Sequence, residues 1–155
     1  MALNFCLRLH PLLWSHYADS HQDVCIQFDH KRTPLVGAAR VVYSNKYPVV
    51  TYPLKSLSDL TVKGILTKAK YWQYEDEYRL FSIRSDDNDA WRLGLKWLDD
   101  HMAVVSPKCV IGITLGARMP EPQKKELESY CAEKHPEISI EQANICNDRF
   151  AITID

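Results

Sequence analysis

The chain has 155 residues, 46% of them hydrophobic and 25% charged, which fits one domain with a single core. Its formal net charge is -1 and its densest basic run covers only residues 30–32, so nothing in the sequence indicates nucleic-acid binding. Five widely spaced cysteines without a Cys-x-x-Cys pair argue against a disulfide framework or a zinc knuckle, and no apolar run approaches the roughly 20 residues that span a bilayer, so we expect a cytoplasmic protein without a membrane partner.

The first elements follow from hydrophobic periodicity. Residues 3–9 alternate between apolar and polar side chains, which predicts a half-buried strand. Pro11 and the apolar residues after it predict a helix over residues 11–20. The mostly β-branched and aromatic residues 24–28 predict an interior strand.

The rest of the chain is rich in short strands. Ser56 or Ser58 can cap a helix that reaches Leu66, and residues 119–135 have the clearest helical pattern. Composition predicts a solvated loop at residues 84–90. Further strands are predicted at residues 40–43, 47–52, 74–83, 91–98, 108–115, 138–140 and 150–154. This order predicts a single α+β domain over residues 1–155, with a mixed or antiparallel sheet of about six to eight short strands and two to three helices.

Side chains capable of chemistry are concentrated in two places. The first cluster is residues 14–21, and the second is residues 68–79. On a strand through the second cluster, Glu75, Glu77 and Arg79 would share one face. Two carboxylates beside an arginine can do acid and base work or hold a ligand, although a row of ion pairs on a solvated edge has the same composition. We predict that the two clusters form the walls of one site.

His16 is the histidine best placed for chemistry, because Tyr17 and Asp19 adjoin it and its ordinary pKa of roughly 6.5 is near neutrality. A structural role for this histidine stays open. His16 and His21 are five residues apart, so they lie on different sides of a helix and do not form the i, i+4 pair of zinc-binding helices. Cys25 lies among apolar residues, as an inert packing thiol does. The residues therefore fix no metal and no cofactor.

The motifs Leu-Trp-Ser-His-Tyr-Ala-x-x-His at residues 13–21 and Lys-x-x-x-Trp-x-Tyr-Glu-x-Glu-Tyr-Arg-Leu at residues 68–80 resemble the bacterial family catalogued as domain of unknown function 2971. The resemblance extends in weaker form to the C-terminus and implies a member that lacks the family's N-terminal portion; Asp23 stands where relatives usually have glycine. The arrangement of histidine, tyrosine and Glu-x-Glu is also similar to the ADP-ribosyltransferase fold. That similarity implies that a histidine and a tyrosine hold a nicotinamide nucleotide while a glutamate acts at the ribose.

Our leading hypothesis is a cleft that binds a nucleotide-like or other anionic ligand, with ADP-ribosyltransferase-like group transfer as the first reaction class to test. The predicted catalytic residues are His16, Tyr17, Glu75 and Glu77. The predicted ligand-binding residues are Arg79, Lys68, Trp72, Trp14 and His21. The alternative hypothesis is a non-catalytic interaction module in which the same residues form a structural polar network. An open pocket above the carboxylates would favour the first hypothesis, and mutual salt bridges closed to solvent would favour the second.

Three structural predictions follow from the leading hypothesis. His16 or Tyr17 should contact the carboxylates or the arginine of the second cluster. Trp14 should be largely buried, with its ring packed between the helix and the strand that contains Val24, Ile26 and Phe28. Glu77 should face the ligand, so that Glu77→Gln leaves stability nearly unchanged, whereas a Glu77 paired with a buried Arg79 would make the same substitution costly.

Overall fold

The computed structural model describes residues 2–4, 7–32, 35–50, 52–53, 60–80, 95–97 and 103–155. The fold is α+β, as predicted, but the strands form several small sheets where we predicted one. The strands are β1 (Ala2–Asn4), β2 (Val24–Phe28), β3 (Ala39–Arg40), β4 (Val42–Ser44), β5 (Thr67–Ala69), β6 (Glu77–Arg79), β7 (Leu95–Trp97), β8 (Ala103–Val105), β9 (Val110–Leu115), β10 (Ser139–Ile145) and β11 (Ile152–Ile154).

The helical elements are mostly short. In the described residues the α-helices are α1 (Pro11–Tyr17) and α2 (Glu121–Lys134). Single turns of 3-10 helix occur at Leu7–Leu9, Asp19–His21, Leu35–Gly37 and Pro107–Cys109, a longer 3-10 helix covers Lys70–Glu75, and a π-helix covers Leu60–Ile65. No helix in the described part of the chain is long and apolar enough to cross a membrane.

The largest sheet has the strand order β11-β10-β9-β2. Strands β9 and β10 pair in parallel. Parallel neighbours need a crossover connection, and α2 lies in that connection. The other two pairings of this sheet are antiparallel. The strand predicted at residues 24–28 is confirmed as β2, but its predicted interior position is wrong, because β2 lies at the edge of this sheet in the described part of the chain. The helix predicted at residues 119–135 is confirmed as α2.

Two smaller sheets bring the second cluster together. Residues 39–44 pair with β6 through β3 and with β5 through β4. The backbone N–H groups of Val41 and Val42, at the junction, donate to the carbonyl oxygens of Glu77 and Leu66, at 2.9 and 2.7 Å. One segment therefore lies beside both β5 and β6, and this places Lys68 next to Glu77.

The main apolar cluster is built around Trp14. Its buried members are Trp14, Ala18, Ala143 and Ile152, and Cys25 packs against them. The predicted burial of Trp14 is confirmed, and its cluster packs against strand β2 as predicted, through Cys25. Cys25 points to the opposite face of β2 from Val24 and Ile26, since side chains alternate along a strand. Phe28 instead packs against a separate buried cluster of Leu35, Leu80 and Cys109.

Other predictions differ from the structure where the backbone turns. The predicted strand over residues 74–83 is wrong at its start, because Tyr74 and Glu75 belong to a 3-10 helix and Asp76 has a left-handed φ of 40°. Residues 7–9 form a 3-10 turn and residues 47–50 form no strand. The predicted helix start at Ser56 or Ser58, the strand end at residues 81–83 and the loop at 84–90 lie outside the described residues.

Candidate functional site

Four charged side chains of the second cluster bind one another, and we call them the polar network: Lys68, Glu75, Glu77 and Arg79. The Lys68 ammonium donates to Glu75 Oε2 and, at 2.9 Å, to Glu77 Oε2. Arg79 donates from Nε to Glu77 Oε1 at 2.6 Å and from Nη2 to Glu77 Oε2 at 3.2 Å. Its Nη1 donates to the carbonyl oxygen of Ile65. Two cations and two carboxylates leave the polar network with no net formal charge.

Local backbone geometry explains why both glutamates reach Lys68. Glu75 ends the 3-10 helix, and the left-handed turn at Asp76 starts β6 at Glu77. The Arg40 guanidinium holds this turn through Asp76 Oδ1, 2.6 Å from its Nη2. The backbone N–H of Glu77 donates to the hydroxyl oxygen of Tyr43 at 2.9 Å. Along β6, Glu77 and Arg79 share a face as predicted, whereas Glu75 joins them through the turn.

The first cluster contacts the second through Tyr17. Its hydroxyl donates a 2.7 Å hydrogen bond to Glu75 Oε1, although 58 residues separate the two in sequence. The predicted meeting of the two clusters is therefore confirmed. His16 contacts the same region edge-on, with its ring centroid 6.2 Å from that of Trp72. The Lys68 ammonium lies 5.3 Å from the Trp72 ring centroid, within range of a cation–π interaction.

Burial divides these residues into two layers. Glu75 is 1% exposed and Glu77 3%, so the carboxylates are closed to solvent. Tyr17 is 59% exposed and Trp72 38%, and His16 beside them is also exposed. We call His16, Tyr17 and Trp72 the aromatic face. The site therefore consists of exposed rings next to a polar network whose carboxylates are buried and whose cations are half-buried.

Contacts within the site shift the pKa values of Tyr17, Lys68, Glu77 and Arg79. The hydrogen bond to Glu75, together with burial, raises the pKa of Tyr17 to about 12, so this hydroxyl keeps its proton. Burial opposes the charged forms of Lys68 and Glu77, but hydrogen bonds within the polar network outweigh it: they raise the pKa of Lys68 and lower the pKa of Glu77. The hydrogen bond to Glu77 raises the pKa of Arg79. At pH 7 Tyr17, Lys68 and Arg79 therefore keep their protons, and Glu77 stays ionised.

Glu77 does not face an open cleft, contrary to the prediction. Both of its carboxylate oxygens accept hydrogen bonds from the side chains of Arg79 and Lys68. Mutual salt bridges closed to solvent are the arrangement that we associated with a structural network. Arg79 is likewise engaged on all three of its nitrogens, so the predicted anion contact would have to break existing bonds.

Two other predicted ligand-binding residues lie elsewhere. Trp14 is in the core, with its indole N–H donating to the Arg8 carbonyl oxygen at 2.9 Å, so its ring cannot meet a ligand without unfolding. His21 contacts the loop after β9, where its carbonyl oxygen accepts a 2.9 Å bond from the Arg118 backbone. Tyr43, which sequence reasoning missed, lies on a strand whose pairing with β5 no local pattern reveals.

Among the described residues, no group of three or more histidine, cysteine, aspartate or glutamate side chains could hold a metal ion. The four cysteines in that part of the chain are free thiols. Burial raises the pKa of Cys25, which suits packing rather than nucleophilic chemistry.

Comparisons with known proteins give no further identification. No protein-family model, no curated protein and no solved structure matches this chain. The resemblance to domain of unknown function 2971 therefore stays a prediction that rests on the motifs alone.

Proposed function

We propose that this protein is a binding protein that takes a planar, nucleoside-like ligand on its aromatic face, and that the polar network is the support beneath that face. The observation that carries the proposal is the two-layer arrangement. Exposed rings of His16, Tyr17 and Trp72 lie over carboxylates that are buried and paired. Ion pairs of this kind hold side chains in fixed positions, whereas proton transfer needs groups that titrate near the working pH.

The aromatic face supplies stacking and one directed acceptor. Stacking a base on an aromatic side chain contributes roughly 1–3 kcal/mol and tolerates different bases, since every base has a π-face. The proton of Tyr17 is committed to Glu75, so its hydroxyl oxygen can accept a hydrogen bond from a ligand N–H or O–H. A planar ring that carries such a donor meets both features.

The charges of the polar network argue for a nucleoside rather than a bare anion. Lys68 and Arg79 are already paired with the two carboxylates, so together these residues present no net positive charge to a phosphate. Extracting either cation would break its ion pairs with the buried carboxylates, which is costly. We therefore attribute the binding free energy to stacking of the ligand ring on the aromatic face and to the hydrogen bond that the Tyr17 hydroxyl accepts.

Titration with adenosine, nicotinamide and NAD, followed by tryptophan fluorescence and calorimetry, tests this proposal. We expect saturable binding of at least one ring compound, and stabilisation of roughly 2.7 kcal/mol at one hundred times its dissociation constant. Trp72→Ala should abolish binding. Tyr71→Ala is the matched control, because Tyr71 is an exposed ring on the same 3-10 helix that makes no ring contact in the described part of the chain. Equal loss in both variants, or no binding of any compound, would contradict the proposal.

A second candidate function is ADP-ribosyl-type group transfer. The hydrogen bond between Tyr17 and Glu75 favours it, because this bond joins a tyrosine of the histidine-containing segment to a glutamate. It requires the Tyr17 hydroxyl to leave Glu75 so that the carboxylate can reach a ribose. Incubation with NAD and measurement of released nicotinamide distinguishes the candidates. Release that Glu75→Gln removes would favour transfer, and binding without release would favour the binding protein.

A further inference from the structure

A cavity of about 420 Å³ lies where the start of α1 and the 3-10 turn Asp19–His21 approach the hairpin between β10 and β11. Its volume is within the range of small-molecule sites. It is lined by Pro11, His21, Arg118, Ile145, Asp148, Arg149 and Phe150, among others. None of these residues belongs to the polar network or to the aromatic face, so the cavity is independent of the function proposed above.

Two arginines, Arg118 and Arg149, line this cavity. Neither Arg118 nor Arg149 forms an ion pair or a side-chain hydrogen bond with any residue that the structure describes. Asp148 also lines the cavity and is equally unpaired within those ranges, so the lining carries a positive excess. This contrasts with the polar network, where every cation has a carboxylate. Arginine is the side chain best suited to bidentate contact with phosphate.

The backbone fixes Arg118 beside His21. The Arg118 N–H donates to the carbonyl oxygen of His21, and the Gly116 N–H donates to that of Asp23, both at 2.9 Å. A side chain at Gly116 would place its Cβ 2.2 Å from the His21 carbonyl oxygen, so only glycine allows this approach. The site is therefore built on a close backbone contact between two loops.

His21 itself is poorly satisfied in this position. Its Nδ1 is buried without a hydrogen-bond partner in the described part of the chain, and a buried unpaired polar atom is unfavourable. Burial and the nearby Arg118 charge lower the pKa of His21, so the ring is neutral at pH 7. An anion placed near Arg118 would favour protonation of this ring.

The cavity also has an apolar side. Phe150 is fully exposed on its rim, and Ile145 is exposed as well. Exposed apolar side chains beside a positive lining suit a ligand with one anionic end and one apolar or aromatic end. We propose that this cavity binds a small phosphorylated molecule, with its phosphate between Arg118 and Arg149 and its apolar part against Phe150.

Calorimetric titration at low salt with two probes, inorganic phosphate and phenyl phosphate, tests the proposal. Arg118→Gln and Arg149→Gln should each weaken both probes by about tenfold, because each removes one charge-assisted contact. Phe150→Ala should weaken phenyl phosphate but not inorganic phosphate. Asp148→Asn should strengthen both, and Lys125→Gln, which removes an exposed cation outside the lining, should change neither.

A measurement on the unmodified protein keeps the test independent of how the variants fold. Amide chemical-shift changes on adding phenyl phosphate should centre on residues 21, 118 and 146–151. Absence of saturable binding at about 10 mM probe would overturn the proposal. So would full binding by the doubly substituted Arg118→Gln, Arg149→Gln protein, or equal affinity for benzoate, which would show that the site does not select phosphate.

Discussion

Replacing Glu77 by glutamine separates a structural carboxylate from a ligand-facing one. In the folded protein Glu77 Oε1 accepts from Arg79 Nε at 2.6 Å, and Oε2 accepts from Lys68 at 2.9 Å and from Arg79 Nη2 at 3.2 Å. Glutamine preserves the shape but offers only one acceptor oxygen. Whichever way the amide turns, its NH₂ group points at a cation that previously met a carboxylate.

The magnitude follows from how buried these cations are. Breaking a fully buried pair by changing one partner costs about 3–5 kcal/mol. The side chains of Lys68 and Arg79 keep 21% and 27% of their exposure, so water partly screens the charge that is left over. We therefore expect a loss near the lower end, about 3 kcal/mol. For a chain of this length that corresponds to a fall in melting temperature of about 6–12 °C.

Chemical denaturation of Glu77→Gln beside Glu126→Gln measures this effect, since Glu126 is an exposed glutamate on α2. Glu77 has a lowered pKa when folded, so the unfolded chain binds its proton first and stability falls as the pH drops below about 4.5. That acid-dependent loss should be smaller in the Glu77 variant. A variant within about 1 kcal/mol of wild type would refute the structural role assigned to Glu77 and restore the ligand-facing hypothesis.

Three further predictions concern Trp14 in the core and the contact between Gly116 and His21 beside the cavity. Trp14→Ala should cost about 3–5 kcal/mol in a denaturant titration, as large core deletions do, and an unchanged midpoint would show that the ring is not in the core. Gly116→Ala should cost at least about 1–3 kcal/mol, because its Cβ would overlap the His21 carbonyl oxygen; wild-type stability would mean that the two loops are not in contact. His21 has a lowered pKa when folded, so the unfolded chain takes up its proton first and unfolding free energy should fall as pH drops below about 6.5. His21→Asn should remove that slope, and a variant with the wild-type slope would assign it to another group.

The second cluster shows how far composition can predict a site. The concentration of charges and rings at residues 68–79 was sufficient to predict that His16 or Tyr17 meets this cluster, as Tyr17 does, and that Glu77 and Arg79 share a face. Strand periodicity did not predict the turn at Asp76, because the 3-10 helix before it and strand β6 after it have the same composition of charged and aromatic residues. Whether a carboxylate is buried depends on β4 and β5, which pair through contacts that are distant in sequence.

Burial and pairing therefore could not be predicted from the residue types alone. Glu77 has the same neighbours in sequence whether it faces a ligand or an arginine. Strand β5 places Lys68 beside Glu77 as the second cation after Arg79. This second cation makes the polar network electrically neutral. The cavity beside Arg118 was not predicted, because residues 145–152 carry no motif and join His21 only through the folding of the chain.

The first cluster was predicted as one wall of one site. The backbone instead places Trp14 in the core, Tyr17 beside Glu75 and His21 at the cavity. On a continuous helix Tyr17 and His21 would be i, i+4 neighbours on one face. Helix α1 ends at Tyr17, and Asp19, Ser20 and His21 follow with φ of 41°, 56° and 73°. A non-glycine residue in this conformation costs of order 1–3 kcal/mol and persists only where its surroundings hold it. The hydrogen bonds that the His21 and Asp23 carbonyl oxygens accept from the loop after β9 provide that hold, so His21 lies at the cavity while Tyr17 remains on Glu75.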